Sequence, residues 1–83
     1  MIEKHIILED VDPVMFYGVG NAHLQMIKSL YPKLRIVARD NVLRVLGDEE
    51  EMAKAEEDIE LMRKHLAKYN MLNEEDILDI VKG

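Results

Sequence analysis

Apolar positions change their period several times along this chain, and each change marks an element. Lys4–Leu8 (KHIIL) is short and rich in β-branched residues, which suits a strand. Asp12 followed by Pro13 is a helix start, with Asp12 as N-cap and Pro13 at the first helical position, where its missing N–H costs nothing. Gly18 stops that short helix. Asn21 is placed to cap a second helix, Ala22–Tyr31, in which Leu24, Ile27 and Leu30 or Tyr31 recur at helical spacing, and Pro32 ends it.

Leu34–Arg39 and Val42–Leu46 flank Asp40-Asn41, two residues that tolerate positive φ and so predict a type I′ hairpin. The register follows: Arg39 opposite Val42, Val37 opposite Arg44, Arg35 opposite Leu46. That pairing puts Arg35, Arg39 and Arg44 on one face and Leu34, Ile36, Ala38, Leu43 and Val45 on the other, which is the core face. Asp48 and Glu51 then have the spacing of a capping box at the start of a long helix. Its apolar stripe is Met52, Ala55, Ile59, Met62, Leu66 and Tyr69. Such a helix is roughly 30 Å long against roughly 20 Å for a six-residue strand, so its far end overhangs the sheet. Leu72, Asn73 and Ile77 read as staple, N-cap and staple partner of a last short helix that reaches about Val81 and covers the overhang. The order predicts a single α+β domain over residues 1–83, a three-stranded antiparallel sheet with helices packed on one face.

A chain of 83 residues closes one core but is too small to enclose a deep substrate cavity with a catalytic apparatus. No apolar run approaches the roughly 20 residues of a membrane span, and Met1–Asp10 lacks the basic flank and apolar stretch of a secretory signal. Cysteine is absent, which removes disulfides and thiolate chemistry and fits a reducing cytoplasm. The net charge of −6 opposes nucleic-acid binding, but it is uneven: residues 1–47 carry six Lys or Arg against five Asp or Glu, and residues 48–83 carry five against twelve. Within 22–46, Lys28, Lys33, Arg35, Arg39 and Arg44 face only Asp40, so a locally positive surface is expected, with weak, salt-sensitive binding.

Candidate chemistry is sparse. Ser29 is the only serine, there is no threonine, and His5, His23 and His65 stand apart from any second ligand at metal spacing, so no catalytic or metal site is expected. The carboxylates of Asp48–Glu51 and Glu56–Asp58 suit a helix start and a solvated face rather than Mg²⁺. The loop Gly18-Val19-Gly20-Asn21 can present backbone N–H groups to a phosphate, and the same residues equally make a helix break followed by a cap. Lys28, Lys33, Arg35 and Arg39 can neutralise the backbone of a single strand crossing the adjacent groove, although surface strands commonly carry arginine outward. Phe16, Tyr17 and Tyr31 are the only nearby aromatics for base stacking, and Phe16 suits the core.

Strand, helix, Gly loop, helix, strand, strand, helix resembles KH domains of the first type, in which a GXXG loop clamps nucleic-acid backbone. Asn21 stands here at the fourth loop position. The closer resemblance is to the KH-like N-terminal domain of PhoH-like (phosphate starvation-inducible) P-loop ATPases, on four pieces in register. These are Tyr17, Gly18, Asn21 and Leu24; Ile36, Ala38 and Arg39; Gly47, Asp48, Glu49 and Glu50; and Leu72, Glu75, Asp76 and Ile77. The resemblance implies a non-catalytic accessory domain of an ATP-binding protein, weakly binding single-stranded RNA or DNA through Gly18, Val19, Gly20, Asn21, Lys28, Lys33, Arg35 and Arg39. Nothing here matches G-x-x-x-x-G-K-[ST], so ATP and Mg²⁺ are expected only in a P-loop ATPase domain outside these residues, and no cofactor within them. The alternative is a protein-interaction or homo-oligomerisation module docking on that ATPase domain. The overhanging helix, the acidic second half and the apolar last helix motivate it.

Overall fold

The computed structural model describes all 83 residues. Its elements in chain order are β1 (Ile2–Ile7), α1 (Pro13–Tyr17), a 3-10 turn (Val19–Asn21), α2 (Ala22–Leu30), β2 (Arg35–Arg39), β3 (Val42–Gly47), α3 (Glu49–Tyr69) and α4 (Glu74–Lys82). The first strand thus begins two residues earlier than its β-branched core suggests. Asp12 caps α1 as expected, its Oδ1 accepting the Val14 N–H at 3.0 Å. Asp48 caps α3, but its bond goes to the Glu50 N–H rather than closing a box with Glu51. In α4 the box residue is Asp76, whose Oδ2 accepts the Asn73 N–H at 3.0 Å.

The sheet is three-stranded and antiparallel, with β3 in the centre of the order β1-β3-β2. The β2–β3 register is the one the turn residues dictate, with Arg39 opposite Val42, Val37 opposite Arg44 and Arg35 opposite Leu46. The turn itself is not type I′, because only Asp40 has positive φ (53°) and Asn41 does not. Asn41 also answers to β1: its carbonyl accepts the Leu8 N–H at 2.7 Å, which fixes its backbone from outside the hairpin.

Pleat alternation sends Ile6, Ile36, Leu43 and Val45 under the helices, where all four are buried. There α2 packs on β2, and α3 on β3 and β1. Four of the six stripe residues of α3 are essentially inaccessible (Met52, Ala55, Ile59 and Met62), and Leu66 is nearly so. Tyr69 departs from the stripe and is 60% exposed. Leu72 and Ile77, the staple pair leading into α4, fill the core at that end, and α4 packs against α3 and α2. Tyr69 lies edge-on to His65 instead, ring centroids 4.8 Å apart.

One charged residue enters the core. Asp58 on α3 is 2% exposed. Its Oδ2 accepts the Tyr31 hydroxyl from the end of α2 and Lys54 Nζ at 2.8 Å; Lys54 also donates to the Val81 carbonyl of α4 at 3.3 Å. Burial, then the Asp58 bond and the nearby Asp58 and Glu51 charges, holds the Tyr31 phenol far above its ordinary value. Tyr31→Phe removes the donor and leaves a buried carboxylate short of a partner, so chemical denaturation is expected to show a loss of about 1–3 kcal/mol.

Tyr17 shifts the same way, by burial and then by the charge of Asp40. The unfolded chain ionises these phenols at about pH 10, whereas the folded chain keeps their protons to higher pH. Their contribution is therefore complete below about pH 10 and declines as the pH rises past it. Urea midpoints measured through this range are expected to fall with pH, and to fall less steeply in a Tyr17→Phe, Tyr31→Phe double variant.

Candidate nucleic-acid interface

The Gly loop is built by three positive-φ backbones within four residues. Gly18 has φ 82° and ψ 170°, and Gly20 and Asn21 are both left-handed with φ near 60°. A Cβ on Gly18 would lie 2.9 Å from Cγ of His23, whose ring is held by contact between Nδ1 and the Phe16 carbonyl at 3.2 Å. Gly20 has open space around it, so only its φ requires glycine. Asn21 makes no side-chain cap, contrary to the expectation from sequence. Its left-handed backbone replaces the extended geometry an N-cap needs, and its own N–H goes to the Gly18 carbonyl at 3.1 Å. The Ala22 N–H likewise goes to the Val19 carbonyl.

A groove of about 550 Å³ opens beside this loop, lined by Pro13, Val14, Tyr17, Asn21, Leu24, Ala38, Asp40 and Asn41. The Tyr17 hydroxyl donates to the Asp40 carbonyl at 2.9 Å, joining α1 to the β2–β3 turn across it. Half of its lining is hydrophobic; Asn21, Asn41 and Asp40 add two side-chain amides and a carboxylate, and no Lys or Arg lines it. Neither expected stacking aromatic is free, for Tyr17 and Tyr31 are both buried, and Phe16 is in the core.

The structure does not gather the eight sequence-predicted residues at one place. Gly18, Val19, Gly20 and Asn21 form the loop. Lys28 is half-buried in the last turn of α2, on the stripe that runs from Asn21 through Leu24 at helical spacing, and Lys33 is exposed in the connection before β2. Arg35 and Arg39 are carried by the pleat to the opposite, uncovered face of the sheet.

On that uncovered face three rows cross the strands: Arg35, Leu46, Glu3; then Val37, Arg44, His5; then Arg39, Val42, Ile7. Glu3 pairs with His5 Nε2 at 2.8 Å and with an Arg44 guanidinium nitrogen at 3.1 Å. These bonds, His5 first and Arg44 second, hold the Glu3 carboxyl below its ordinary range. Ile7 and Val37 are about half exposed (50% and 42%), and a shallow cup of about 400 Å³ is lined by His5, Val37, Arg39, Asp40, Asn41, Val42 and Arg44. Sequence reasoning placed Arg44 on this face but missed Glu3 and His5. No alternation in the sequence marks them, since β1 reads Ile-Glu-Lys-His-Ile-Ile; only the pairing with β3 shows that Glu3, His5 and Ile7 share this face.

Compared with protein-family models, curated proteins and solved structures, this chain matches none. No helix is long and apolar enough to cross a membrane.

The loop's geometry ranks its glycines. Gly18→Ala meets both a glycine-only backbone region and the His23 ring, whereas Gly20→Ala meets only a left-handed φ worth about 1–2 kcal/mol. Thermal unfolding is expected to show Gly18→Ala as the more damaging of the two.

Proposed function

We propose that this chain is a KH-like, non-catalytic accessory domain of a PhoH-like ATP-binding protein, and that it binds single-stranded RNA or DNA weakly. The observation that carries the reading is the groove beside the Gly loop. Its apolar floor of Tyr17, Leu24 and Ala38 has room for an unstacked base, and the Asn21 and Asn41 amides at its rim offer a donor and an acceptor each to a base edge. The element order, with the Gly loop between α1 and α2, is that of the family resemblance.

The strand of nucleic acid runs along the α2 side, from the loop past Leu24 to Lys28 and Lys33, whose charges meet its phosphates. Arg35 and Arg39 face away from this path. The acidic balance of the chain keeps affinity low and salt-sensitive. In fluorescence anisotropy at low salt, Lys28→Ala is expected to weaken single-strand binding and lower the salt slope by about one, while Arg35→Ala leaves both unchanged. Equal losses in the two variants, or no saturable binding by the parent chain, would remove this assignment.

A second reading has its own support. The half-exposed Ile7 and Val37 on the uncovered sheet face favour a protein-interaction module, docking on the ATPase domain of the same protein.

A further inference from the structure

We infer that the uncovered sheet face is a docking surface for an acidic, aliphatic segment of a partner protein. This deepens the interaction-module reading and concerns a surface other than the nucleic-acid groove, which lies on the other side of the sheet and shares with it only Asp40 and Asn41 at the hairpin tip.

Charge is the first argument. The three rows of the face hold three arginines and a histidine against one carboxylate, with Asp40 at the hairpin tip next to Arg39 as the only other acid lining the cup, in a protein whose net charge is −6. Arg44 is engaged by Glu3, but Arg35 and Arg39 have no carboxylate partner anywhere in the chain. They stand at the two ends of β2, four residues and so about 13 Å apart on one face. That is two to three turns of an α-helix, the separation of carboxylates two or so turns apart on one stripe.

Composition is the second. Val37 lies between Arg35 and Arg39 on β2, Leu46 and Val42 stand beside those two arginines on β3, and Ile7 follows on β1, all aliphatic. All four Phe and Tyr residues of the chain are in α1, at the end of α2 or in α3, and none is on this face, so the planar groups a base meets here are the His5 ring, which Glu3 holds, and the guanidinium groups. A partner's leucine or valine, by contrast, meets a surface of its own kind framed by guanidinium groups. A second copy presenting the same face would set arginine against arginine and is disfavoured by charge.

The third is that the face already binds a carboxylate. Glu3 is held by His5 Nε2 and Arg44 at 2.8 and 3.1 Å, so the side chains of adjacent strands are spaced to grip such a group. A partner's carboxylates at Arg39 and Arg35 would extend that arrangement across β2.

The test uses the full chain, labelled with nitrogen-15, and a synthetic helical peptide of glutamate and leucine with leucines at every third and fourth position. Amide shifts at Ile7, Arg35, Val37, Arg39, Val42 and Arg44 that saturate with peptide, and weaken with salt, are the expected result. The double variant Arg35→Gln, Arg39→Gln changes exposed side chains to uncharged polar ones, so it should remain folded and lose about tenfold in affinity. The same peptide with glutamine in place of glutamate should bind no better than that variant.

Three results would overturn the inference: no saturation by the acidic peptide, capture of the same amides by oligothymidylate at lower concentration, or shifts of these amides with the chain's own concentration alone. The first denies the surface, the second gives it to nucleic acid and the third to a second copy. The groove shares only Asp40 and Asn41 with this face, so the amides of Arg35, Val37 and Arg44, which do not line it, report this surface alone, and this proposal and the nucleic-acid one can fail separately.

Discussion

A carboxylate inside an apolar core must find donors, and Asp58 finds one on a distant element and one on its own helix. Tyr31 comes from the end of α2, Lys54 from one turn earlier in α3, and Lys54 reaches on to the Val81 carbonyl of α4. An unpaired charge at this depth would cost several kcal/mol, on the order of the whole stability of a small domain. The helical layer is therefore fixed in one arrangement, with α2 set against α3 at its C-terminal end. The position of α2 in turn sets where its N-terminal end, and the Gly loop before it, meets the β2–β3 turn.

From that arrangement the pleat of a three-stranded sheet divides the chemistry in two. Residues of one parity go under the helices and close the core. Those of the other parity form an uncovered plane in which arginines alternate with aliphatic residues. The groove, by contrast, is bordered by α1, the loop and the hairpin tip and has no cation in its lining. One small domain thus carries two surfaces of different character on opposite sides of one sheet, meeting only at Asp40 and Asn41 of the hairpin tip, and basic residues adjacent in sequence do not act together.

Much of this was legible wherever the signal is local. Asp12-Pro13 announced a capped helix, Asp40-Asn41 a two-residue connection with one register, and the three-and-four spacing of Met52 to Leu66 a helix facing its own sheet. What was not legible depends on distant partners. Asn41 lost the positive φ its turn type asked for because β1 binds its carbonyl. Asn21 gave up capping for a left-handed backbone imposed by the loop. Tyr69 left the stripe because α4 supplies the core residues at that end, and Asp58 was indistinguishable from its solvated neighbours until Tyr31 was brought against it. The candidate site shared this limit: the residues of the loop were found as a unit, while the four basic residues were split by a pleat that composition alone does not register.

The Tyr17 hydroxyl on the Asp40 carbonyl has a further consequence for whatever occupies the groove. It is a cross-brace between α1 and the hairpin tip, and its phenol, with its ionisation pushed upward, keeps its proton at any neutral pH. The gap between those walls is set before a ligand arrives. Binding there has little conformational entropy left to lose in the walls, and what the groove admits is decided by fit to a fixed width rather than by closure around the guest.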